Sequence, residues 1–161
     1  MQQTINKQFI TQLGILTPDI RASKAAWETF LGLPSQPVTE SFGYEVTHAS
    51  YQGRPLNGRI YQVCFRFANI ELELIQPIDN TPSYWKDCLD KNGPGIHHIS
   101  FAVKDIQESV SQCEALGISL KQNGSWPAGD YPGGSYAYLD AMDSMHVVLE
   151  LLEKEQEVKN E

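Results

Sequence analysis

The nine residues His98-Ile-Ser-Phe-Ala-Val-Lys-Asp-Ile106 alternate apolar and polar side chains. They then run into Ile106, Val110, Cys113 and Leu116, apolar positions at helical spacing that stop before Gly117. That order predicts a strand, a capping Asp105 and a helix. It occurs once before. Gln12-Leu-Gly-Ile-Leu-Thr-Pro-Asp-Ile20 leads into a helix marked by Ile20, Trp27, Phe30 and Leu31 and stopped by Gly32. Asp19 and Asp105 each lie seven residues after Gln12 and His98, and each helix closes on a Leu-Gly pair. Strand-like runs follow both helices, and the two halves end alike, in Ile70-Glu-Leu-Glu-Leu-Ile75 and Val148-Leu-Glu-Leu-Leu152. Turns are expected at Gln52-Gly53-Arg54-Pro55, Phe67-Ala68-Asn69 and Tyr131-Pro-Gly-Gly134.

The economical account is an α+β chain made of two tandem βαβββ modules in a single domain. Module 1 spans about 9–77 and module 2 about 96–152. A linker over about 78–95 holds a short helix around Tyr84 to Leu89 and the turn Asn92-Gly-Pro-Gly95, and a polar tail covers 153–161. With 161 residues and 41% hydrophobic composition the chain can bury one sizeable core. A net charge of -8 argues against nonspecific binding to nucleic acid or anionic membrane, both of which need basic surface. No apolar run approaches the roughly 20 residues that cross a bilayer, and MQQTINKQF lacks the order of a signal peptide, so a cytoplasmic location is expected. Cys64, Cys88 and Cys113 are odd in number and widely spaced, which predicts free thiols.

Side chains alternate faces along a strand, so parity assigns them. Leu13 and Ile15, Leu72 and Leu74, Ile99 and Phe101, and Leu149 and Leu151 are expected to cover the helices. The opposite parity carries Gln12, Glu73, His98 and Glu150. Placed around one concavity, these supply one nitrogen and three oxygens, a coordination set suited to a divalent Zn, Co, Ni or Mn ion. Each has an ordinary reading as well: a strand carboxylate or amide facing water, or a hydrogen-bonded rim histidine. The paired placement, at the head of both first strands and inside both last strands, favours ligation. By the same parity His97 is expected to point away from His98 in a structural role, and His48, Tyr51 and Tyr136 are candidates to line a pocket.

On these residues the sequence resembles the vicinal oxygen chelate superfamily, which includes glyoxalase I, methylmalonyl-CoA epimerase, extradiol dioxygenases and bleomycin-resistance proteins. The resemblance runs from Gln12 to Leu152 and implies a cupped, mostly antiparallel sheet with helices on its outer face. It implies metal ligands at Gln12, Glu73, His98 and Glu150. Gly95-Ile-His-His-Ile-Ser-Phe101 and Glu73-Leu-Ile-Gln-Pro77 look like methylmalonyl-CoA epimerase. Epimerases generally show His at the position of Gln12 and Gln at that of Glu73, whereas Gln, Glu, His, Glu is the set of zinc-type glyoxalase I. The Arg and Asn by which glyoxalase I holds glutathione are Leu16 and Pro77 here. The resemblance therefore implies a metal-dependent isomerase or lyase that removes a proton α to a carbonyl or thioester, with an acyl-CoA or a thiol adduct as substrate. Glu150 and Glu73 are the implied catalytic carboxylates. A homodimer is the implied assembly. Glyoxalase I-type activity and a non-enzymatic binding protein of the bleomycin-resistance kind are the alternatives.

Overall fold

The computed structural model describes Ile5, residues 9–128 and residues 131–154. In chain order the elements are β1 (Gln12–Leu16), α1 (Ile20–Leu31), β2 (Thr39–Glu40), α2 (Tyr44–Thr47), β3 (Ser50–Tyr51), β4 (Arg54–Pro55), β5 (Ile60–Arg66) and β6 (Glu71–Pro77). They continue with α3 (Tyr84–Asn92), β7 (Gly95–Ala102), α4 (Ile106–Ala115), β8 (Ser119–Ala128), β9 (Tyr131–Asp140), α5 (Met142–Met145) and β10 (Val148–Lys154). The two long outer helices start the same way. Asp19 accepts a hydrogen bond from the Ala22 N–H at 3.0 Å and Asp105 from the Glu108 N–H at 2.9 Å, each satisfying a donor that the first turn leaves free. The first N–H of α1 donates to Gln76 Oε1 at 2.7 Å and that of α4 to Glu153 Oε2 at 2.8 Å, so each helix is tied to the last long strand of its own half.

All ten strands form one sheet in the order β2-β5-β6-β1-β7-β10-β9-β8-β3-β4. β1 and β7 meet antiparallel at its centre, β6 lies parallel to β1, and β10 lies parallel to β7. The remaining pairs are antiparallel, and the α+β reading of a curled, duplicated sheet holds. The β3–β4 hairpin belongs to the first half of the chain but pairs with β8, Ser50 opposite Asn123 and Tyr51 opposite Gln122. Its docking needs Gly124, where a Cβ would stand 2.7 Å from Ala49 Cβ.

Alternation along the strands divides the core. α1 covers Val63, Phe65, Leu72 and Leu74, and α4 covers Ala137, Leu139 and Leu151, both on the outer face. On the concave face α3 brings Tyr84, Trp85 and Cys88 against Leu16, Ile60, Ile75, Tyr138 and Val148. Cys88 and Cys113 are buried, Cys64 is half-buried, and all three are free thiols.

Two expectations change here. Tyr131-Pro-Gly-Gly134 is not a turn. It lies inside β9, and the connection to β8 falls at 129–130, outside the described residues. Gly133 is needed for close approach instead, since a Cβ there would lie 1.5 Å from the Trp126 carbonyl oxygen. The polar tail expected over 153–161 begins as part of β10 through Lys154, and the rest lies outside the described residues.

Candidate metal centre

Four strands at the middle of the sheet carry the site. Gln12 heads β1, Glu73 lies within β6, His98 within β7 and Glu150 within β10. His98 is fully buried, and Glu73 and Glu150 are 6% and 5% exposed. Around His98 Nε2 stand Gln12 Oε1 at 2.9 Å, Glu150 Oε2 at 3.2 Å and Glu73 Oε2 at 3.7 Å. All four candidates therefore meet at one point, and all four come from a single chain.

Their neighbours fix how they face. The Gln12 amide nitrogen donates to Glu71 Oε1 at 2.7 Å, which turns its oxygen toward His98. The Gln62 amide donates to Glu73 Oε1 at 2.8 Å, and the Ser100 hydroxyl donates to Glu150 Oε2. Gly14, opposite His98 on β1, leaves room for the imidazole, because a Cβ there would fall 2.1 Å from His98 Cε1. Tyr138 closes the inner side, its ring 5.1 Å from that of His98 and its hydroxyl accepting from the Trp85 indole N–H at 3.2 Å.

The electrostatics follow from burial. Desolvation is the largest influence on Glu73 and, with the nearby Glu150 charge and against the pull of His98, pushes its carboxyl up to about 7. Burial draws His98 down, but Glu150 and Glu73 outweigh it and hold the imidazole above its ordinary value. Burial first, then Glu150 and Glu73, raises the Tyr138 hydroxyl well above the ordinary tyrosine range.

His97 departs from the alternation. The register steps from Gly14 opposite His98 to Ile15 opposite Ile96, so His97 is an extra residue on β7, a β-bulge. The bulge turns its ring to the same side as His98: His97 Nδ1 lies 3.0 Å from His98 Nδ1, and both rings contact Tyr138. Of the pocket candidates, Tyr136 borders the carboxylates through Tyr138 and hydrogen-bonds Gln122, whereas Tyr51 stacks on Tyr84 in the concave core. His48 is exposed at the end of α2 against Tyr44. Ser100, Tyr138, Gln62 and Gly14 are additions. Ser100 shares the parity of His98 on β7 and Tyr138 that of the candidate Tyr136 on β9, and that signal was available in the sequence.

The donor set fits a divalent first-row ion. Ligands held at ~2.1 Å in a tetrahedral or octahedral shell are separated from one another by roughly 3.0–3.4 Å. Of the separations about His98 Nε2, 3.2 Å falls within that range, 2.9 Å lies just below it and 3.7 Å above it. As the side chains stand, no group of three or more His, Cys, Asp and Glu among the described residues is placed to hold a metal ion. Here the donors are turned upon one another, with His98 taking the place of a cation between the carboxylates.

A duplicated βαβββ sheet with buried donors on its concave face defines the class of protein. The family model described as the glyoxalase/bleomycin resistance protein/dioxygenase superfamily matches residues 11–138, and the chain belongs to that superfamily. Among solved structures it is similar to methylmalonyl-CoA epimerase from Mycobacterium tuberculosis, with a TM-score of 0.63 at 18% identity, covering 97% of this chain and 94% of that one. A hypothetical protein from Bacillus halodurans C-125 gives 0.62 at 19% identity, covering 96% of this chain and 100% of that one. A methylmalonyl-CoA epimerase variant from Streptomyces coelicolor, in complex with 2-nitronate-propionyl-CoA, gives 0.60 at 20% identity, covering 92% and 98%. At these identities the likeness shows the fold. No curated protein matches the chain in sequence. No helix among the described residues is long and apolar enough to cross a membrane.

Proposed function

We propose that this chain is a metal-dependent isomerase or lyase that removes a proton from the carbon next to a carbonyl or thioester, most like methylmalonyl-CoA epimerase, with an acyl-CoA as the first substrate class. The observation that carries the reading is the convergence of Gln12, Glu73 and Glu150 oxygens on His98 Nε2 within 3.7 Å, in a buried setting. Gln12, Glu73, His98 and Glu150 would hold the ion. When bound, Zn, Co, Ni or Mn supplies positive charge that stabilises a carbonyl oxygen as negative charge develops there.

The chain's own residues supply the proton chemistry. Glu150 is the base of this reading. Its Oε2 is committed to Ser100 and His98, while among the described residues Oε1 takes no hydrogen bond and is left to accept a proton. Glu73, steadied by Gln62 across from Glu150, is the second carboxylate and the candidate to return a proton. Tyr136 and Tyr138 shield the carboxylates on the inner side.

A glyoxalase I-type reaction on another thiol adduct is the second reading, favoured by the identities Gln12, Glu73, His98 and Glu150 themselves. Glutathione is disfavoured as the thiol, since Leu16 packs in the concave core and Pro77 is buried. A ligand-binding protein without catalysis is the third. Proton-deuteron exchange in metal-loaded protein, with methylmalonyl-CoA, other acyl-CoAs and a glutathione hemithioacetal, separates them. Exchange at the α-carbon of an acyl-CoA is the expected result. No exchange with any of them, from protein that binds metal stoichiometrically, would overturn the enzyme reading. A homodimer is proposed alongside, because the sheet ends on β2 and β4, each with a single neighbour. Light scattering should give about twice 18.1 kDa, and a monomer at working concentration contradicts it.

A further inference from the structure

We propose that His97 is a positioning residue for this centre: it accepts the Nδ1–H of His98 and so turns the His98 Nε2 lone pair toward Gln12, Glu73 and Glu150. The inference rests on the metal reading above. It starts from the bulge. Regular alternation would send His97 to the helix-covered face, yet the extra residue brings it to within 3.0 Å of His98 Nδ1, with the two rings nearly perpendicular at 87°. His97 is 3% exposed, and its Nε2 is buried without a hydrogen-bond partner among the described residues. A ring kept there only for packing against Tyr84 and Tyr138 would be better as phenylalanine, which leaves no unpaired polar atom. The one nitrogen that accounts for a histidine is the one facing His98.

Proton counting then sets the direction of that bond. Two ring nitrogens 3.0 Å apart are bonded only when one carries a hydrogen and the other a lone pair. Every described polar contact of His98 Nε2 is an oxygen, and the Gln12 oxygen is held in place because its amide nitrogen is spent on Glu71. Without an ion these acceptors take a hydrogen from Nε2, and an ion held by the same oxygens would replace that hydrogen. With a metal ion there, the single ring hydrogen of neutral His98 resides on Nδ1, and His97 Nδ1 must accept it. The His97 hydrogen then sits on Nε2, the unpartnered position. No described protein group competes with His98 for the His97 hydrogen.

The test uses the full chain, titrated with zinc and cobalt against a competing chelator, as wild type, His97→Phe, His97→Asn and His98→Ala. His97→Phe keeps the ring contacts and removes the acceptor, and should weaken metal affinity by about 10- to 100-fold and alter the cobalt absorption bands. His97→Asn, whose side-chain oxygen can accept, should recover most of that loss. Wild-type affinity in His97→Phe would overturn the inference, and so would histidine NMR of zinc-loaded wild type that finds the His97 hydrogen on Nδ1. That second measurement decides the matter if His97→Phe does not fold. If wild type binds no metal, the metal reading falls and this inference with it. If wild type and His97→Phe bind equally while His98→Ala does not, only the role of His97 falls.

Discussion

At Glu150 a carboxylate only 5% exposed is held by the Ser100 hydroxyl and lies 3.2 Å from His98 Nε2. In the proposed reaction it would serve as both ligand and base, two separable roles. Glu150→Gln should keep a weak oxygen ligand while removing the base, so α-carbon exchange should fall further than metal content does. Glu150→Asp keeps the charge but draws it back, and a displacement of roughly 1 Å costs on the order of 100-fold in rate. Full retention of metal and exchange in Glu150→Gln would count against both roles. Gly14→Ala addresses the other side of the site. Its Cβ would fall 2.1 Å from His98 Cε1, so the variant should lose about 1–3 kcal/mol of stability, read by denaturant titration, together with metal affinity. That Gln12, Glu73, His98 and Glu150 share one face was legible because parity along a regular strand is a local rule. Ser100 obeys the same rule on β7, whereas Tyr138 reaches Glu150 only through the pairing of β9 with β10. His97 was misread because a bulge breaks the alternation, and it arises from pairing with β1, far away in the sequence.

The elements themselves repeat in function as well as order. Asp19 and Asp105 cap α1 and α4, and Gln76 and Glu153 reach back from β6 and just beyond Leu152 in β10 to the first helical N–H groups. Asp19→Ala and Asp105→Ala should each destabilise by about 1 kcal/mol, measured by chemical denaturation, and leave metal content unchanged because both caps lie on the outer face. Loss of metal in either variant would show that helix seating governs the site. These caps were readable from seven-residue spacing. The β3–β4 hairpin was readable only in part. Gln52 and Gly53 turn with φ of 50° and 73°, which a Gln-Gly pair announces, but the pairing with β8 depends on Gly124 and Ala49 meeting across the chain. No local pattern encodes that contact.

For the molecule as a whole, the buried cluster predicts how metal-free protein responds to pH. Glu73 rises from 4.5 unfolded to about 7 folded, so the folded state binds the extra proton and loses that advantage as pH climbs through 7. His98, also raised, acts in the same direction. His97, lowered by burial and by His98, acts oppositely and, being half protonated at pH 6.5 when unfolded, offsets part of the loss up to about pH 7.5. Between pH 6.5 and 8 the metal-free protein should therefore lose about 1 kcal/mol from Glu73 alone, with His98 adding to the loss. Urea titrations across that range check it, and a rise in stability would contradict the assignment. The duplicated fold was legible because both halves state it, whereas the closure of the four donors to within 3.7 Å of one atom depends on how the two halves pair.

Metal stoichiometry in purified protein, measured by elemental analysis on wild type and His98→Ala after loading and removal of excess ion, decides whether the four side chains hold an ion. The account predicts about one divalent ion per chain in wild type and loss of most of it in His98→Ala. Equal, stoichiometric metal in both, or none in wild type, would contradict it.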